Sequence, residues 1–457
     1  MDSSHDHRLP PRFGTATATF VVVSSMVGVG ILTTSGRMVA TLGSNQLMLI
    51  VWILGGLIAF CGALSLAEPA SAWSLPGGDY AILRLAYGPT IAFLGGWTTL
   101  VVGFAAPIAA SSAAAALYLP WPFPMPPGWE SLAHRIPASL MIVGFTVLHA
   151  LGDRSAVKAQ GVLTAVEIAL VAIFIVFGLV SGHEHSDRLF DLPALGAISG
   201  GSFAYALVFV AYAYTGWNGS AFIASEVIDP PRTLPRSIVL GTSIVIALYV
   251  GLNVVYALAL PASEIVELAR VKGDDAVVPI AELAAKRLGG ERFGQATGLL
   301  VSSILIASVS VYLLTGSRIM YAMACIGQFP RFASRLARRS RTPAPALAAL
   351  AAASLLLLWT GSFDQVVIYA GVGLTIASMA VVGAVFVLRR RHPDHPRPFR
   401  VPGYPVVPAI FLAGSAALLI GVTIEDPLAT LSACGCIVLG VPIDWWTRAE
   451  RRNRESA

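Results

Sequence analysis

Thr19-Phe-Val-Val-Val-Ser-Ser-Met-Val-Gly-Val-Gly-Ile-Leu32 lies in the first long apolar run of the chain, and Tyr212-Ala-Tyr-Thr-Gly-Trp-Asn-Gly-Ser-Ala221 lies in the sixth. Each run is long enough to cross a bilayer, which takes about 20 apolar residues. Each is also interrupted halfway, by Gly28 and Gly30 in one and by Thr215 to Gly219 in the other. Unwound backbone is ruinous against lipid, where an unpaired amide costs several kcal/mol, and is tolerated only where it lines a polar cavity. Two interruptions five spans apart therefore predict two discontinuous helices that meet at the bilayer midplane around a ligand. Amides at Gly28, Val29 and Gly30, at the positive end of a half-helix, suit a carboxylate. Carbonyls at Tyr212, Ala213 and Thr215, at a negative end, suit an ammonium group. The pair describes a receptor for an α-amino acid, whereas close helix packing through small residues is the plainer reading of Gly28 and Gly30 taken alone.

The rest of the chain is consistent with that environment. Its 457 residues are 56% hydrophobic and only 12% charged, with mean hydropathy +0.74, against about a quarter charged in soluble domains. This excludes a soluble enzyme, a disordered chain and a disulfide-stapled secreted domain. The long, continuous Ala-, Leu- and Gly-rich runs also argue against an outer-membrane barrel. Spans are expected near 15–39, 46–71, 89–118, 134–151, 160–181 and 200–224, then near 235–260, 294–322, 344–361, 365–389, 406–424 and 427–446. The polar N-terminus has no small-residue cleavage site after the first run, so that run is expected to remain as a helix. With twelve spans, the side holding both ends collects 21 of the 30 Lys and Arg, the other side collects 8, and Arg318 stays within the eighth span. The asymmetry predicts a cytoplasmic-membrane protein with both termini cytoplasmic. The net charge of +5 thus reports topology, and no nucleic-acid partner is expected.

Six motifs, in order, resemble the amino acid-polyamine-organocation transporter superfamily over nearly the whole chain. Ser25-Met-Val-Gly-Val-Gly-Ile31 is similar to its glycine-small-glycine-isoleucine signature. Tyr212 to Asn218, with Ser225-Glu-Val-Ile-Asp-Pro230 and Arg232-Thr-Leu-Pro-Arg236, resembles the sixth helix and following loop of the L-type amino acid transporter branch. Weaker matches are Pro76-Gly-Gly-Asp-Tyr80, Gly316 to Pro330, and Arg397-Pro-Phe-Arg-Val-Pro402. The resemblance implies an all-α membrane protein with the leucine-transporter-like fold. In that fold a five-plus-five inverted repeat occupies 15–181 and 200–389, helices 11 and 12 fill 406–446, and short cytoplasmic tails lie at 1–14 and 447–457. It implies a secondary amino acid transporter working by alternating access, with the substrate held by Met26, Gly28, Val29, Gly30 and Ile31 from the first break. The second break would contribute Tyr212, Ala213, Thr215, Gly216, Trp217 and Asn218, with Tyr212 as an aromatic gate. The family often has serine where Val29 stands, which leaves only backbone amides for the carboxylate.

Glu167 occupies a position where the resemblance implies lysine. A carboxylate at membrane depth costs about 2.5 to 3.5 kcal/mol on insertion scales and is paired, neutral or functional. Glu167 is thus the candidate for proton coupling; a neutral carboxyl bonded to backbone and a counter-charge for a cationic substrate are the alternatives. Substrate exchange without protons is the alternative transport mode, and a non-transporting amino acid sensor is the alternative of another class. Glu68 and Arg318 are expected to snorkel to water as structural anchors, and Ser302, Ser303, Ser308 and Ser310 fall where sodium-coupled relatives place hydroxyls. The four cysteines are expected to be small hydrophobes. The His pairs are expected in solvated loops, and no metal, cofactor or catalytic centre is expected. Segment 119–135 has no cysteine, so no disulfide-linked helper subunit is expected. Amino acid substrate and lipid are the expected partners.

Overall fold

The computed structural model describes residues 13–75, 77–118, 132–151, 154–190, 200–272, 279–338, 340, 342–361 and 363–455. These fold as helices joined by short turns. The first four are α1 (Thr15–Met26), α2 (Val29–Leu42), α3 (Asn45–Trp73) and α4 (Asp79–Tyr87). A long helix with a π turn at Val101–Ala105 follows, as α5 (Pro89–Leu100) and α6 (Ala106–Leu117). Next come α7 (Leu132–Leu151), α8 (Arg154–Ser181), α9 (Gly200–Ala213), α10 (Gly219–Phe222) and α11 (Pro230–Ala259). Two loop helices, α12 (Ala262–Lys272) and α13 (Ile280–Gly289), precede the 35-residue α14 (Glu291–Cys325). The last four are α15 (Ala344–Thr360), α16 (Phe363–Arg391), α17 (Val406–Glu425) and α18 (Pro427–Glu455).

Among the described residues eight helices are long and apolar enough to cross a membrane, or up to ten when each bent pair counts as one span. One bent pair is α1 with α2, at 42°; α9 and α15 are shorter apolar helices. The outer surface agrees with a bilayer: Leu140, Val176 and Leu428 are 64%, 64% and 75% exposed, a belt unfavourable in water and ordinary against lipid.

Local chemistry places the elements around the breaks. Val27 and Gly28 leave helical geometry for extended backbone (φ −71°, ψ 115° and φ −170°, ψ −151°), which ends α1 and lets α2 restart at an angle. Ser44 caps α3 by accepting from the Leu47 amide at 3.1 Å. α11 packs along both α1 and α3, and α9 lies against α2, α16 and α17. At their crossing Trp52, Tyr214 and Tyr249 form an aromatic cluster with centroids 5.1 to 5.5 Å apart. An isolated parallel bridge ties Phe13, ahead of α1, to Val227, just beyond α10, through Phe13 N to Glu226 O and Ile228 N to Phe13 O. The start of the first broken helix is thereby linked to the end of the second.

Glu68 corrects one expectation. It does not snorkel to water: it is 2% exposed, and its carboxylate accepts from Arg389 Nε at 2.7 Å, Arg389 Nη2 at 2.5 Å and the Val401 amide at 2.8 Å. Arg397 Nε stands 3.3 Å away. The end of α3 is anchored by a buried ion cluster whose partners come from more than 300 residues later in the chain. Arg318 is exposed. Beyond α11, α12 and α13 are joined by Arg287 to Glu264 at 2.7 Å. Pro76 and residues 119–131 lie outside the described residues.

Candidate functional site

The first break leaves the start of α2 uncapped. Gly28 has no side chain with which to cap it, and the first amides of a helix have no acceptor within it. The amides of Gly28, Val29, Gly30 and Ile31 therefore carry the positive pole of a 14-residue helix. Thr33 and Thr34 hydroxyls donate back to the Val29 and Gly30 carbonyls, both at 2.6 Å. At the end of α1, the Met26 carbonyl accepts from the Tyr249 hydroxyl at 2.6 Å. One of the orphan carbonyls created by the break is thus satisfied from α11.

The second break runs over residues 214–218, between the end of α9 at Ala213 and the restart at Gly219. The two breaks face and touch one another. A Cβ on Gly30 would lie 2.6 Å from Ala213 Cα, and one on Gly216 would lie 2.3 Å from the Ser25 carbonyl oxygen. Gly216 also has φ +102°, a region that side chains other than glycine's disfavour. The positive pole of α2 thus adjoins the negative pole of α9, a paired arrangement that suits a zwitterion. The Tyr212 carbonyl accepts from both the amide (3.1 Å) and the hydroxyl (2.7 Å) of Thr215, so its lone pairs are engaged within the chain. Tyr212 itself is buried, at 4% exposed, with its Cβ 3.5 Å from the position a Cβ would take on Gly371 of α16.

The structure separates the remaining residues of the second break. Trp217 turns toward α17, edge-on to Phe411 at 6.2 Å. With Thr215 it lines a cavity of about 40 Å³ between α3, α9, α16 and α17 that has no residue of α1 or α2 in its wall. Asn218 points to the loop helix α4, donating from Nδ2 to Asp79 Oδ2 at 2.5 Å. Burial pushes the Asp79 carboxyl up to about 6, and the Asn218 hydrogen bond pulls the other way.

Of the residues at the breaks, Tyr249, Tyr312 and Phe104 were not singled out from the sequence, whereas Ser308 was. Tyr312 and Ser308 of α14 stand over Gly28: a Cβ there would lie 3.2 Å from the Tyr312 hydroxyl and 3.9 Å from Ser308 Oγ. Their four-residue spacing places them on one helix face, a signal available in the sequence once α14 is known to face the first break. Phe104, in the π turn of the third span, packs edge-on against Tyr312 at 6.2 Å; π turns recur at functional sites. All five serines of α14 are engaged: Ser308 donates to the Ile304 carbonyl at 2.9 Å, Ser302 to Ala115, Ser303 to Leu300 and Ser317 to Leu314, and Ser310 pairs with His149 Nε2 at 2.9 Å. Glu167 sits on α8, and its side chain lies outside the described residues.

Comparison with known proteins agrees with this architecture. The amino acid permease family model matches residues 13–433. The serine/threonine exchanger SteT of Bacillus subtilis (strain 168) is 28% identical over 452 residues, covering 96% of this chain and 97% of its own. The large neutral amino acids transporter small subunit 2 of Homo sapiens is 27% identical, covering 95% and 80%. The human b(0,+)-type amino acid transporter 1 is 25% identical, covering 94% and 86%. The chain belongs to the amino acid permease family, within the amino acid-polyamine-organocation superfamily and close to its L-type branch. Its relatives are transporters and not enzymes.

Proposed function

We propose that this member of the amino acid permease family exchanges neutral amino acids across the cytoplasmic membrane by alternating access, one helix bundle rocking against the other around the facing breaks. The observation that carries the reading is the contact of the two interruptions, Gly30 on Ala213 and Gly216 on Ser25. In this reading the amides of Gly28, Val29 and Gly30 hold the carboxylate. The Ala213 and Thr215 carbonyls hold the ammonium group, because the Tyr212 carbonyl is already engaged. Tyr212 closes over the substrate. The side chains where the two breaks meet, Met26, Ile31, Tyr212, Ser308 and Tyr312, are uncharged, and the Asp79 carboxylate at the far end of the second break is engaged by Asn218, which supports a neutral substrate. The names of the relatives, a serine/threonine exchanger and large neutral amino acid transporters, support the same class and an exchange mode. The reading includes twelve spans, a five-plus-five inverted repeat over 15–181 and 200–389, cytoplasmic termini and no disulfide-linked helper.

The test is counterflow into proteoliposomes of the purified protein. Labelled L-serine is expected to enter vesicles preloaded with neutral amino acids at least tenfold faster than empty ones. Binding of amino acids, seen as a raised thermal midpoint, without any flux in loaded vesicles would favour the sensor. Proton coupling through Glu167 is the second reading, supported by an ionisable residue within the fifth apolar run, where such groups mark function.

A further inference from the structure

Two consecutive residues at the start of the loop helix α4 reach to different parts of the molecule. Asp79 Oδ2 accepts from Asn218 in the unwound part of the sixth span, and the Tyr80 hydroxyl donates to Gln328 Oε1, just beyond α14. The backbone between them and α10 is close: a Cβ on Gly78 would lie 2.7 Å from the ring of Phe222. Asp79 Oδ1 is sealed from solvent and has no hydrogen-bond partner among the described residues. A carboxylate with one oxygen dry and unpaired is unfavourable, and its position in the first turn of a helix offsets only part of that. An apolar side chain would fill the space without the cost. What the carboxylate does there is accept a charge-assisted hydrogen bond, a strong class of bond, from a residue of the break.

We propose that Asp79 is a positioning residue of the transport site: through Asn218 it pins the unwound segment 214–218 in the place from which that segment holds substrate. The inference rests on the transport reading above. Unpinned, the five residues of the break gain freedom that substrate must remove on binding, so the loss falls on half-saturation and not on the maximal rate.

The test compares Asp79→Ala and Asp79→Asn in proteoliposome counterflow of labelled L-serine, with rates normalised to folded carrier. Asp79→Ala is expected to raise half-saturation tenfold or more while the maximal rate stays within threefold. Asp79→Asn keeps an oxygen able to accept from Asn218 and is expected to stay within threefold of the wild type in both. Unchanged half-saturation in the alanine variant, or an equal rise in the asparagine variant, overturns the proposal. If the unmodified protein moves no label, it is the transport reading that has failed. The tie is then read from thermal midpoints of Asp79→Ala, Asn218→Ala and the double variant. Non-additive shifts support it and additive shifts overturn it.

Discussion

Gly216→Ala tests the opposed breaks most directly. A methyl group at this position would sit 2.3 Å from the Ser25 carbonyl oxygen, 2.7 Å from its carbon and 3.1 Å from the Met26 nitrogen. All three are main-chain atoms of the other break, unable to swing aside as a side-chain end would. The φ of +102° adds strain for any residue with a Cβ, about 1 to 2 kcal/mol. Overpacking adds about 1 to 3 kcal/mol. The total is roughly 2 to 5 kcal/mol of folding stability, so the variant should unfold at a distinctly lower temperature than the wild type, and any carrier that folds does so with the two breaks displaced and counterflow reduced. Gly435→Ala serves as the control, because a Cβ there meets nothing within 4 Å and the residue lies in regular α18. Both variants are scored by thermal midpoint in detergent and by counterflow. The two hypotheses differ in sign: alanine in an ordinary helix is better than glycine by roughly 0.8 to 1 kcal/mol. A Gly216→Ala protein with raised stability and intact flux would refute the opposed breaks.

Three further perturbations address charges. Glu68→Gln strips the acceptor charge from a buried cluster holding Arg389 and Arg397; breaking such a cluster costs about 3 to 5 kcal/mol, so the thermal midpoint should drop well below that of any exposed-site glutamine variant. Asp79 bears on the pH dependence of stability. Its carboxyl is raised from 3.8 to about 6, so the fold favours the protonated form. The stability from that preference is whole below the unfolded value and lost as pH rises through about 6. Midpoints recorded across this window should therefore fall more steeply in the wild type than in Asp79→Asn, and parallel curves would count against it. Glu167→Gln should flatten the dependence of L-serine uptake on external pH if the carboxyl carries the coupled proton, whereas an unchanged profile and rate leave exchange alone.

Although it missed the loop helices α4 and α12 and placed the start of α8 and α11 and the end of α18 five or more residues short, the sequence alone determined that this chain lives in a membrane, where most of its long apolar helices lie, and that its first and sixth apolar runs are interrupted. These properties are local: apolar run length, and glycine and polar residues inside a run, act through the chain's immediate surroundings. The breaks fall close to where they were expected, at Val27–Gly28 and at 214–218, but Val29 and Gly30 are already helical in α2 and Gly219 in α10. Tertiary structure alone decided what each interruption meets. Trp217 and Asn218 are neighbours in one break, yet one turns to Phe411 on α17 and the other to Asp79 on α4. Glu68 reads as a helix-end anchor until Arg389 and Arg397 arrive from 300 residues away to bury it. Tyr249 and Tyr312 carry no mark in the sequence that distinguishes them from other aromatic residues of apolar helices, and they reach Met26 and Gly28 only through the packing of α11 and α14. Hydrogen-bond partners and close approaches depend on which helix faces are brought together, and single-chain periodicity carries no record of that pairing.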